Sequence, residues 1–189
     1  MLHWYYLSKW FANRSIGSIK YYADNRNANE KKAWWDCCLG KLGEFVARDF
    51  LCKHDTSLPK SVEPDINIYE PWEKSWAPDL DFPTVSVDVK SCLNPDFPPS
   101  VTFQWGNNNG VGGRDQFFLD SRKSNKQEVV CLVHIDTRQL RGCRVHSIVP
   151  RHEALPLFDD PVLEYLKGIK KCLYFSDVEK ACQSPFPTT

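Results

Sequence analysis

Between Thr84 and Lys90 the chain alternates without a break, with Val85, Val87 and Val89 on one side and Thr84, Ser86, Asp88 and Lys90 on the other. Successive side chains of a strand point to opposite faces, so this stretch is a β-strand with one apolar and one polar face. The valines anchor it in a core. An acid and an amine two residues apart then project from the same face, and burying such a pair is costly unless it is partnered or bound to a metal. No other part of the chain constrains the fold and its chemistry as tightly.

Around this strand the hydrophobic period changes. From Trp34 to about Lys53, residues Trp35, Cys38, Leu39, Leu42, Phe45, Val46 and Phe50 recur at three-to-four spacing, which predicts a helix whose single apolar stripe is interrupted by Asp49. Glu44 falls opposite that stripe, and Gly40, Gly43 and Ala47 form a flanking strip of small residues that permits close approach of a strand or a phosphate backbone. Residues 54–83 are rich in proline and charge and contain Pro64-Asp65 and Pro78-Asp79. Further strands are predicted at 101–105, 116–120, 128–136 and 143–149, with a glycine- and asparagine-rich loop over 106–113. Asp160-Pro161 reads as a helix start before Val162, Leu163, Leu166 and Ile169, and Ser176-Asp177-Val178-Glu179 as the capping box of a short last helix. The order of elements predicts an α/β (α+β) fold, a mixed central sheet flanked by helices.

At 189 residues the chain is long enough for one domain, read as an aromatic N-terminal extension (1–33), a core (34–150) and a C-terminal helical segment (151–189). Lys plus Arg and Asp plus Glu are both 24, which excludes binding driven by bulk positive charge and requires local patches instead. Hydrophobic residues at 42% exclude wholesale disorder, and no apolar run reaches the ~18 residues of a membrane span. The eight cysteines contain no C-x-x-C pair and several sit in apolar runs, so free thiols are expected; with no signal-peptide pattern at the N-terminus, they predict a cytoplasmic protein. The five histidines show no metal-ligand spacing.

Asp79 lies nine residues before Asp88, the distance at which a tight hairpin brings the two alongside. Two adjacent carboxylates repel, and a hard divalent cation between them relieves the repulsion; Mg²⁺ takes one or two carboxylates together with waters and phosphate oxygens. Lys90 is then placed to orient or deprotonate a water, or to neutralise charge developing on phosphorus. The bland reading is an ordinary wet strand face. Two alternatives to Asp79 stand beside it: Asp81, on the same strand face, and Asp65, which opens a second strand-like segment.

Gly43-Glu44 on a helix, then Pro78-Asp79, then Asp88-Val89-Lys90 resembles the PD-(D/E)xK nuclease superfamily, over about residues 38–92. The variant is most similar to small phage and restriction-type members. The resemblance implies a restriction-endonuclease-like fold, with Asp79 and Asp88 as metal ligands and Lys90 as the catalytic lysine. Glu44 would be the helix acid that completes the metal shell. It further implies a Mg²⁺-dependent DNA endonuclease in which Mn²⁺ substitutes, working in a bacterial or phage-infected cytoplasm. The rival reading is a non-catalytic binding or inhibitor module on the same fold.

A neutral nuclease must concentrate its phosphate contacts. Lys41 and Arg48 beside Glu44, and Arg114, Arg122, Lys123 and Lys126 after the loop, are the basic candidates. Gln104 would line the cleft, and Asn107, Asn108 and Asn109 are suited to adenine edges. The N-terminal aromatics (Trp4, Tyr5, Tyr6, Trp10) read as core or interface ahead of base stacking. His134 and Asp136 read as an ordinary sheet position. Cutting both strands with one site per chain points to a homodimer.

Overall fold

The computed structural model describes residues 2–19, 29–69, 77–93, 100–106, 115–118, 125–136 and 142–181. Two helices come first, α1 (Leu2–Ile19) and α2 (Glu30–His54). The Asn29 side chain accepts from Lys32 N at 2.8 Å and starts α2 four residues earlier than the apolar stripe does. Strands β1 (Leu80–Asp81), β2 (Val85–Leu93), β3 (Ser100–Gln104), β4 (Gln127–Ile135) and β5 (Arg144–Pro150) follow. After the short α3 (Arg151–Ala154) come β6 (Phe158–Asp159), β7 (Lys170–Tyr174) and α4 (Phe175–Ala181).

The strands form two sheets, one ordered β1-β2-β4-β5 and the other β3-β7-β6. In the first, β2 and β4 run parallel while β1–β2 and β4–β5 are antiparallel, which makes it mixed as the order of elements predicts. β4 reads Val129-Val130-Cys131-Leu132-Val133, a continuous apolar run, because both of its faces are buried. Val129, Cys131 and Val133 join Val87 and Val89 in a core with Leu39, Leu42 and Val46 of α2. Val130 and Leu132 face the other way, into a second core with Phe103 of β3, Leu173 of β7 and Phe117. The mixed sheet is therefore a wall between two cores.

α1 is not an appended segment. Trp4 stacks on Phe45 of α2 with ring centroids 4.5 Å apart and planes 8° from parallel, and its indole N–H donates to Asp49 Oδ2 at 2.6 Å. That contact accounts for the lone acid in the α2 stripe. Trp4 and Tyr5 are half-buried and pack against the first core, whereas Tyr6 and Trp10 are exposed.

Two expected elements are different in the structure. Of the strand expected over 116–120, the described residues Gln116–Phe118 form a 3-10 turn instead, where Asp115 accepts from Phe117 N through Oδ1 (3.1 Å) and from Phe118 N through its carbonyl (2.9 Å), and 119–120 lie outside the described residues. The helix expected after Pro161 is only a 3-10 turn at Glu164–Leu166. Leu163 is extended there, Val162 N donates to the Tyr174 hydroxyl, and Gly168 at φ 74° turns the chain into β7. Val162, expected among the apolar residues of that helix, is 65% exposed. The last helix forms as α4. All seven cysteines among the described residues are free, and no helix among those residues is long and apolar enough to cross a membrane.

Candidate functional site

The hairpin forms as the spacing requires. β1 pairs with β2 through Leu80↔Val87 and Asp81↔Ser86, so the next pair outward sets Asp79 beside Asp88. β1 stops at Leu80, and the Asp79 carboxylate takes over from its backbone, with Oδ2 accepting from Val89 N at 2.7 Å. Asp88 and Lys90 stand opposite Val130 and Leu132 of β4 and so share the face turned toward the second sheet. Asp88 is 7% exposed, so this polar face is not a wet one.

Glu44 also departs from its expected setting. The helical wheel puts it on a solvated side of α2, yet it is buried together with Lys41, whose amine meets the backbone at Asp65 on that side. Lys41 Nζ lies 2.5 Å from Glu44 Oε2, donates to Asp65 O at 2.7 Å and sits 4.8 Å above the Phe11 ring of α1. Burial and then the field of Asp79 push the Glu44 carboxyl up to about 8, against the pull of Lys41.

Asp79 is the carboxylate that the two sides have in common. Burial raises it above the ordinary carboxylate range; Lys90 opposes this, Asp88 adds to it, and the Val89 N–H and Lys41 oppose it. α2 packs on the valine face of β2 while Asp88 projects from the other face, with Asp79 at the edge between them. This explains why Glu44, Asp79 and Asp88 do not close into one coordination shell. Among the described residues no group of three or more His, Cys, Asp or Glu side chains is gathered closely enough to hold a metal.

Asp115 is the residue that sequence reasoning missed. Its Oδ2 lies 3.4 Å from Lys90 Nζ, which also sits 4.7 Å from the centroid of the Phe103 ring. Burial by itself lowers the Lys90 amine, but Asp115, Asp79 and Asp88 outweigh it and raise it above its ordinary value. Asp115 carries no local pattern in the sequence, whereas the Lys41–Glu44 partnership, at helical i, i+3 spacing, left a signal there.

The alternatives to Asp79 have other partners. Asp81 Oδ1 accepts from Ser86 Oγ at 2.8 Å and from Lys126 Nζ at 2.7 Å, which also commits that lysine. Asp65 accepts from Asn67 N (2.9 Å) and the Tyr69 hydroxyl (2.6 Å), in a segment that forms no helix or strand. Two of the expected phosphate contacts are corrected. Lys41 is buried on Glu44, and Arg48 is a clamp whose nitrogens all donate: Nε to Val62 O, Nη1 to Asp49, and Nη2 to Lys60 O and Glu63. Gln104 Nε2 donates to Gly106 O, while its buried Oε1 finds no hydrogen-bond partner among the described residues. Asn107, Asn108, Asn109, Arg114, Arg122 and Lys123 lie outside the described residues.

The donor set fits a hard cation in part. It is all oxygen, and the repulsion between Asp79 and Asp88 is what such an ion relieves, with waters and phosphate filling the remaining positions. A scan of protein-family profiles finds no match to the chain, and searches of curated proteins and of solved structures find none either.

Proposed function

We propose that the chain is a metal-dependent deoxyribonuclease, an endonuclease that hydrolyses DNA phosphodiester bonds. One observation carries the reading: the hairpin register that sets the Asp79 carboxylate on Val89 N–H, next to Asp88 and Lys90 on β2. Asp79 and Asp88 would hold a Mg²⁺ or Mn²⁺ ion, which when bound supplies Lewis-acid charge to the phosphate. Lys90 presents a cation from the same face, orients the attacking water and offsets the charge that gathers on the phosphoryl oxygens. Glu44 acts from behind Asp79: its raised carboxyl makes it a proton store beside the site in place of a third ligand.

The test is incubation with plasmid, linear, single-stranded and branched DNA, with Mg²⁺ or Mn²⁺ and with chelator. Cleavage should require the metal. Asp88→Asn and Lys90→Ala should each lower it by about a hundredfold or more, the scale of losing a preorganised charged group, with the circular dichroism of the fold retained. Full metal-dependent cutting by both variants would refute the reading. The second reading, a non-catalytic binding module, is favoured by the Lys41 amine seated on Glu44. Titration calorimetry separates the two, because a module shows no Mg²⁺ or Mn²⁺ heat that Asp88→Asn removes.

A further inference from the structure

We propose that Asp115 is the positioning residue of this site: its carboxylate holds the Lys90 amine over the Phe103 ring, on the Asp88 face of β2, and so aims it. The inference rests on the reading of Lys90 as the site's lysine. A lysine has four rotatable side-chain bonds and, unrestrained, would sweep a wide volume. Here Nζ is bracketed from two directions, by Asp115 Oδ2 at 3.4 Å and by the Phe103 ring centroid at 4.7 Å. Both partners are themselves fixed. Phe103 is 1% exposed and packs on Phe117 and Phe158. Asp115 N donates to Gln104 O at 2.8 Å at the end of β3, and its second carboxylate oxygen caps Phe117 N. One oxygen therefore ties Asp115 to the scaffold while the other is left for Lys90. The pair is only partly open, with side chains 27% and 22% exposed, so water competes weakly for the amine.

Asp115→Asn is the discriminating substitution, since the amide oxygen still caps Phe117 while the charge facing Lys90 is gone. The first measurement needs neither metal nor DNA. Lysines are reductively methylated with ¹³C, spectra are recorded in chelator at one fixed pH, and the Lys90 signal is assigned by its loss in Lys90→Arg. Over the Phe103 ring the wild-type signal is displaced upfield from those of exposed lysines. It should move toward them in Asp115→Asn and return in part in Asp115→Glu. An unmoved signal in Asp115→Asn overturns the proposal. The second measurement is kinetic. kcat should fall between roughly ten- and a hundredfold, as for a misaimed group, with KM for DNA unchanged, and Asp115→Asn should add nothing to Lys90→Ala. A further loss in the Lys90→Ala background overturns the positioning role. If the signal moves but the wild type cuts no DNA, the nuclease reading falls and the anchoring of Lys90 by Asp115 stands.

Discussion

Glu44 shows what a single residue inherits from its surroundings. Its folded carboxyl titrates at about 8 against an ordinary 4.5, with burial as the main cause and Asp79 the next. The folded chain thus keeps a proton there over a range in which the unfolded chain has lost it. The stability this contributes is full below about pH 4.5 and is lost as the pH rises through about 8. Urea unfolding in chelator should show the wild type weakening between about pH 5 and 9 more than Glu44→Gln, which has no proton to lose there; parallel curves for the two proteins would defeat the assignment. Asp79, Asp88 and Lys90 were legible in the sequence because a hairpin and a period of two are local rules that position side chains by counting. Glu44 was legible as a helical acid but not as a buried one, since the backbone at Asp65 that meets its partner Lys41 lies beyond the helix. Asp115 was not legible at all: it meets Lys90 from 25 residues away, and no spacing rule reaches across the intervening strand β3.

Among the elements, the contact of α2 with β2 decides how close helix and strand come. A Cβ added to Gly43 would lie 1.9 Å from Ser91 Oγ and 3.3 Å from Ser91 Cβ, whereas one added to Gly40 would meet nothing within 4 Å. The two glycines, alike in sequence, are thus opposite in kind. Gly43→Ala should destabilise by about 1–3 kcal/mol through overpacking, while Gly40→Ala should gain up to about 1 kcal/mol of helix propensity. Ser91 Oγ is buried with no hydrogen-bond partner among the described residues, so Ser91→Ala should recover part of the Gly43→Ala loss in a double-mutant cycle of denaturation midpoints. Equal effects of the two glycine variants would contradict the packing described. α2 and β2 were readable because each carries its own period, and β4 because it is a short continuous apolar run. The expected helix after Pro161 failed for a physical reason: its apolar residues are outbid by the turn at Gly168 that delivers β7 to β3.

For the whole molecule, the mixed sheet separates two cores and both depend on it. Leu132, fully buried on the side of Phe103 and Phe117, should cost about 2–5 kcal/mol when cut to alanine, read as a fall in the urea midpoint; a loss below about 1 kcal/mol would mean that the second core is not packed as described. The mixed α/β class followed from the order of elements, but the second sheet did not. It joins β3 to β7 across some seventy residues, and β6 contributes only two residues to it, so neither register nor neighbour is written locally. Asp79 has a double duty in this architecture. Where β1 stops short, its carboxylate seals the margin of β2 by satisfying Val89 N–H. With alanine in its place, that amide would be left as a ragged border onto which a foreign strand can add itself, so clumped material should appear before any clean chemical deletion can be read. Asparagine keeps an oxygen at the border, and it is the replacement with which the chemistry of Asp79 should be interrogated.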